Sequence, residues 1–356
     1  MNILYIPLEF ERYYSAKKMT YPVGVGLVEG FVDKVDFTVV PTFYGSGMWL
    51  EYLQQITMGQ KYDQVFLEVV HSNMNPAILD FISSLAPVRV GFVIESLTIH
   101  SDEYENNLQG TKNREDNLAM KLPYLTHLVV VDERDVNYAK IPTTFEVASV
   151  PESMIDVNLN KKANISDKVI FYGTLYGERA KWVNVLGERA LINPQEGLEE
   201  KGGIPQQYES VVRSAFDNMN GKETIPIGYY KRFCDDWMRI RKIMYSNWMN
   251  ILWEIEGYGV LNPPHRTSVL SSRVIESMAA GKVIYSPRMF NGADFLFTNG
   301  KNILYYESIE ELVDLINSIS QEDKYNIAQN AINIILEKYT TEKMIGRVLK
   351  FIEENP

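Results

Sequence analysis

Arg273 and Glu276 stand one helical turn apart in Ser271-Ser272-Arg273-Val274-Ile275-Glu276, where an apolar strand gives way to a loop and then a helix. Either serine can cap that helix, whose first turn offers backbone N–H groups at the positive end of the helix dipole. Such a start binds anions. A cation in the first turn and a carboxylate three residues on share a face. Together they suit a nucleoside diphosphate, with Arg273 and the amides near Ser272 on the phosphoryl oxygens and Glu276 on the ribose hydroxyls. His265, in the preceding loop beside Arg266, can donate to a phosphate or a sugar hydroxyl. The plainer readings are a surface ion pair for Arg273 and Glu276 and an ordinary loop residue for His265. The start of a crevice helix favours the ligand for the pair.

A second polar set lies at strand ends in the N-terminal half. Glu68 and His71 close the apolar run over 64–70, and Glu95 and His100 follow the run over 89–94. A carboxylate or imidazole there can take the proton of an attacking hydroxyl. Glu95 is the first choice, with His71, His100 and Glu68 behind it, although strand-end carboxylates are mostly solvated. Asp132 and Asp135 read as a charged turn that can shape a cleft. Gly24, Gly26 and Gly30 lie too far beyond the first strand for a dinucleotide fingerprint, which follows its strand directly. A divalent metal under a diphosphate needs closely spaced carboxylates after a strand. Asp235-Asp236 falls inside a helical pattern and Asp132-x-x-Asp135 has the wrong spacing. No metal and no cofactor is expected, the positive groups stabilising a leaving diphosphate instead.

The elements that position these groups alternate. Strands are expected over 2–7, 37–40, 64–70, 89–94, 127–131 and 145–150, and helices between them, such as 76–85 with Ile78, Phe81, Ile82 and Leu85 on one stripe. That is the pattern of a parallel sheet covered on both faces. After Pro151 the chain turns polar through Asn158, Asn160 and Asn164, a linker. A second alternating unit follows, with strands over 168–172, 259–262, 283–286 and 302–305. Ser308 to Glu311 is a capping-box pattern. Ile345, Val348, Leu349 and Ile352 give the last helix an apolar stripe that must be covered. Residues 193–227 read as an irregular or partly helical insertion.

With 356 residues the chain exceeds what one core usually serves. The expected division is 1–160, 161–338 and a final helix over 339–356, with ligand crevices at the carboxyl ends of both sheets facing one another. A net charge of -11 repels polyanions, so a nucleic-acid substrate is disfavoured. The basic cluster Arg232, Arg239, Arg241 and Lys242 is interleaved with Asp235 and Asp236 and reads as a solvated helix face. The single cysteine, Cys234, allows no internal disulfide and fits a reducing compartment. The opening MNILYIPLEF lacks the features of a signal peptide, and no stretch has the length of a membrane span. A cytoplasmic protein with at most peripheral membrane contact is expected.

Arg273-x-x-Glu276-x-Met278-Ala279-Ala280-Gly281, the strand over 283–286, Phe295 to Phe297, Gly300 and Tyr305-Tyr306 resemble the C-terminal signature of CgeB-like glycosyltransferases and their GT-B relatives in glycosyl transferases group 1. Phe171-Tyr172-Gly173-Thr174 with Glu178-Arg179, and Tyr325-x-Ile327-Ala328 with Tyr339-Thr340-Thr341 and Arg347, are similar to further parts of it. The resemblance covers residues 166 to 356 well and the remainder in outline. It implies two Rossmann-like domains facing an interdomain cleft, the C-terminal helix packing back toward the N-terminal domain. The implied reaction is metal-independent sugar transfer from a nucleotide sugar to a glycan, protein or lipid-linked acceptor. Glu276 would hold the ribose, Gly173 and Thr174 would lie near the diphosphate, and Arg179 and Arg273 would balance its charge. Where related retaining enzymes carry a further glutamate, this chain has Ser268. That departure leaves open an inert nucleotide-sugar or glycan-binding module, and the shared fold leaves open an epimerase.

Overall fold

The computed structural model describes residues 1–7, 36–42, 49–72, 74–97, 112–157, 166–173, 175, 179–194, 226–264, 270–288 and 296–356. Two all-parallel sheets organise them. The first has the order β2-β1-β3-β4-β5-β6, from β1 (Asn2–Ile6), β2 (Asp36–Val39), β3 (Gln64–Glu68), β4 (Val88–Val93), β5 (His127–Val130) and β6 (Thr143–Phe145). β3 and β5 are buried at every position, as strands covered on both faces must be, and so read as apolar runs without alternation. Helix Pro76–Leu85 covers one face with Ile78, Leu79, Ile82 and Leu85. It starts where expected because the Asn75 side chain accepts from the Ile78 amide and Pro76 opens the first turn.

The second sheet has the order β11-β10-β9-β7-β8, from β7 (Val169–Phe171), β8 (Ala190–Ile192), β9 (Gly259–Leu261), β10 (Val283–Pro287) and β11 (Leu304–Tyr306). The Ser308 hydroxyl accepts from the Glu311 amide at 3.1 Å, starting helix Ile309–Ser318 as the capping box requires. Glu311 returns its carboxylate to the Glu307 amide, one residue earlier than the usual reciprocal bond.

Two differences from the sequence reading have physical causes. The expected strand over 145–150 ends at Phe145, because from there the chain leaves the first sheet and Val147 and Val150 bury themselves in the second core. Val150 still pairs, through an isolated parallel bridge to Thr340. β8 was not expected; its three residues are an edge strand only partly buried, too short to show a period.

Helix Ile227–Glu254, 28 residues long, runs between the two cores. Tyr230, Phe233, Cys234 and Trp237 lie in the first core. Tyr245, Trp248, Met249 and Leu252 lie in the second. Each set has the i, i+3, i+4, i+7 spacing of a helical stripe, so this bridging helix has two apolar patches in series. Arg232 and Arg239 pair with Asp236 on its outer side and are more than half exposed, the solvated face expected. The last helix, Thr341–Glu354, returns to the first core through Met344, Ile345, Val348 and Ile352. Arg347 clamps it with two bonds, at 2.8 and 2.6 Å, to the buried carboxylate of Glu146. Among the described residues no helix is long and apolar enough to cross a membrane.

Candidate active site

In the second sheet the chain goes from β7 to β8 on one side and then to β9 on the other. Such a reversal opens a crevice beyond the carboxyl ends of the two strands that part there, β7 and β9. Arg273 occupies it. Its Nε donates to the Tyr172 carbonyl at the end of β7 (2.8 Å) and its Nη1 to the Asn262 amide oxygen at the end of β9 (3.2 Å). The guanidinium also lies over the rings of Phe171 and Tyr172, at 5.2 and 5.3 Å. These four groups are neutral, and they orient the cation across the two strand ends.

Gly173 makes room for this. Its φ is +126°, a conformation that disfavours side chains, and a Cβ there would stand 2.5 Å from Arg273 Nη2. Its amide donates to the Asn193 side chain at 2.8 Å, while the Asn193 amide returns to the Phe171 carbonyl at 2.7 Å. Asn193 thus ties the end of β8 to the turn after β7. Asn262 is fixed in turn: its side-chain NH₂ donates to Ser286 Oγ (2.9 Å) and its carbonyl accepts from Tyr306 OH (2.9 Å).

The helix Ser272–Ala279 begins with Ser271 as an extended N-cap whose side chain makes no capping bond. Ser271 Oγ turns instead to the Asn262 amide oxygen at 3.4 Å. Ser272 lies in the first turn, partly exposed, where the helix dipole favours an anion. Every residue from Arg273 to Ala279 is buried. The expectation that Arg273 and Glu276 project side by side is therefore amended. In a helix buried all round, each polar side chain must find partners in its own direction. Arg273 takes the strand ends, and Glu276, 2% exposed, takes the bridging helix. Trp248 Nε1 donates to Glu276 Oε2 at 3.2 Å and Tyr245 OH to Oε1 at 3.4 Å. Arg179 opens the short helix Arg179–Asn184 and is buried. Thr174, His265, Ser268 and His100 lie outside the described residues, as do Gly24, Gly26 and Gly30.

At the carboxyl ends of the first sheet the structure brings His71 and Glu95 together, His71 Nε2 standing 3.6 Å from Glu95 Oε1. Arg114, from the helical stretch 112–121, donates to the other oxygen. Burial alone would raise the Glu95 pKa, but the neighbouring His71 imidazole and the Arg114 guanidinium outweigh it and bring it to about 2. Glu68, a lesser candidate base from sequence, is committed elsewhere. Its carboxylate accepts the amides of Val70, His71 and Ser72 at 2.7 to 2.8 Å and is buried. From below, Lys121 Nζ donates to the carbonyls of Val69 and Ser72, at 2.9 and 2.7 Å. The turn that presents His71 is thus held on both sides. Asp132 and Asp135 do the same for Glu95: Asp132 accepts from Ser96 Oγ at 2.5 Å and Asp135 from the Leu97 amide at 2.9 Å. Among the described residues no three His, Cys, Asp or Glu side chains converge as a metal site would need.

Residues 235–350 match the glycosyl transferase-like family model. Several solved structures share the fold over nearly the whole chain. Sucrose-phosphate synthase of Thermosynechococcus elongatus superposes with a TM-score of 0.55 at 10% identity, covering 99% of this chain and 98% of that one. HepE of Anabaena, solved in complex with UDP-glucose, gives 0.52 at 11% identity, with 99% and 100% covered. A glycosyltransferase from Rickettsia africae gives 0.51 at 14% identity, with 99% and 98% covered. No curated protein matches the chain in sequence. The two parallel sheets with their helices are the GT-B architecture, and residues 235–350 within it are similar to the glycosyl transferase-like family.

Proposed function

We propose that the protein transfers a sugar from a nucleotide diphosphate donor, bound at the second sheet, to a hydroxyl of a glycan, protein or lipid-linked acceptor. The observation that carries this is the Arg273 guanidinium, fixed across the ends of β7 and β9 beside an uncapped helix start. A pyrophosphate at that crevice would meet a charged fork and first-turn amides together. Arg179, Thr174 and His265 complete the donor side in this reading, and Glu276 accepts the ribose hydroxyls. In this reading the positive groups take the place of a divalent ion on the leaving diphosphate, so the reaction needs no metal. The matched domain and the signature from Arg273 to Gly281 support placing the chain with the CgeB-like branch of these enzymes.

The acceptor side falls to the first sheet. A carboxyl with a pKa of about 2 is ionised at neutral pH and too weak a base to drive proton transfer. The order of candidates is therefore reversed, with His71 as the base and Glu95 as the charge that steadies its protonated form. Replacing His71 with Ala should lower kcat by about 10²- to 10⁴-fold with the donor KM little changed.

A panel of nucleotide sugars, with nucleotide release followed in the presence of a chelator, tests the function. Release that survives chelation is the expected result. Binding without release would establish the inert module in its place, epimerised donor without acceptor the isomerase, and dependence on manganese would overturn the metal-free mechanism.

A further inference from the structure

A carboxylate that selects a ribose must be held still. Two donors to Glu276 come from the bridging helix, 28 and 31 residues away in sequence. Trp248 is itself fixed. It is 1% exposed and meets Tyr172 edge-on, the ring centroids 5.3 Å apart at 77°. Tyr172 grips the site helix in turn, its hydroxyl lying 3.1 Å from the Arg273 carbonyl and 2.8 Å from Ser277 Oγ. The Tyr245 hydroxyl reaches both Glu276 and the Ser149 carbonyl at 3.4 Å. Its single hydrogen serves one of them at a time.

A carboxylate has acceptor sites for about four hydrogens. Trp248 donates to one of the Glu276 oxygens and Tyr245 to the other, which fixes the plane in which the carboxylate would meet the two vicinal hydroxyls of a ribose. We infer that Trp248 and Tyr245 are positioning residues for nucleotide recognition, fixing the Glu276 carboxylate so that it discriminates a ribose from a sugar lacking those hydroxyls. The inference rests on the proposed donor-binding role of Glu276. Were these two aromatics only core filling, removing the indole N–H or the phenol O–H while keeping a ring would alter stability and leave discrimination untouched.

The test compares UDP with 2′,3′-dideoxy-UDP by calorimetry on the wild type, Trp248→Phe and Tyr245→Phe, after thermal melts show which variants fold. The wild type should prefer UDP by about tenfold or more, the scale of hydrogen bonds to a charged group. Each variant should narrow that ratio by about threefold or more while its affinity for the dideoxy form holds. Folded variants that keep the full ratio would overturn the inference, as would equal loss of both nucleotides. A wild type that binds neither, or does not tell them apart, would instead overturn the ribose role of Glu276. Tyr245→Phe, which removes one oxygen, decides the matter if Trp248→Phe does not fold.

Discussion

Replacing Gly173 with Ala should weaken nucleotide diphosphate binding by more than backbone strain accounts for. Two costs arise. The φ of +126° disfavours any Cβ, a penalty of about 1–3 kcal/mol. The new methyl would also stand 2.5 Å from Arg273 Nη2 and must push the guanidinium off the ends of β7 and β9. A hydrogen bond to a charged group is worth about 1.5–3 kcal/mol, so a guanidinium that no longer reaches the phosphates should raise the Kd for the donor's nucleoside diphosphate by about 10- to 100-fold. Gly300→Ala separates the two costs. Gly300 also has a positive φ, +73°, but an added Cβ there meets nothing within 4 Å. Urea unfolding and calorimetry on both variants give the comparison: both should lose stability, and only Gly173→Ala should lose affinity. Were Gly173→Ala to bind that nucleoside diphosphate within about threefold of wild type, Arg273 would have no part in holding it.

Two further predictions concern the frame around the site. Arg347→Ala leaves Glu146, whose pKa burial already pushes up against the pull of Arg347, without its clamp. Arg347 is 43% exposed, so the loss should be about 1–3 kcal/mol rather than the full cost of a buried pair. Urea unfolding at neutral pH measures it, and an unchanged midpoint would show that the C-terminal helix does not depend on this pair. Lys282 donates to the carbonyls of Ile255 and Gly257, just past the bridging helix, at 2.7 and 2.8 Å, and burial brings its pKa from 10.5 down to about 7. The unfolded chain therefore keeps a proton that the folded chain has released between those two values, and this group makes stability rise with pH across that window and leaves it flat below. From pH 7 to 9 the rise is on the order of 2 kcal/mol. Lys282→Gln should lack it, and an identical pH slope in both proteins would refute the assignment.

The sheets were legible because parallel strands covered on both faces are apolar through their middles. Runs such as Gln64–Glu68 and His127–Val130 are bounded by residues that cannot continue them. Asn75 before Pro76 and Ser308 before Glu311 marked helix starts through bonds that span only three residues. Val147 and Val150 misled for a related reason: they are as buried as strand residues, but in the other core, and a sequence shows burial without showing by what. The stripe from Tyr230 to Trp237 and the stripe from Tyr245 to Leu252 likewise look like one long buried face, although they serve different cores.

The candidate site divides along the same line. Arg273 was singled out because a helix start is a local feature with a direct physical use, and Gly173 through the resemblance of its turn to the family signature. Asn193, Asn262, Arg114 and Lys121 carry no such mark. Asn193 matters because its side chain reaches the Gly173 amide across 20 residues, and Lys121 because it caps carbonyls 49 and 52 residues away. Glu95 was legible as a strand-end carboxylate, but its lowered pKa was not, since it depends on His71 and Arg114, which only the folded chain brings beside it. Glu276 makes the point most sharply. Its position was readable from the helix and its charge from its identity, yet the direction of its carboxylate is set by an indole and a phenol on another helix. A residue's chemistry can be read from the chain, whereas its aim is a property of what packs around it.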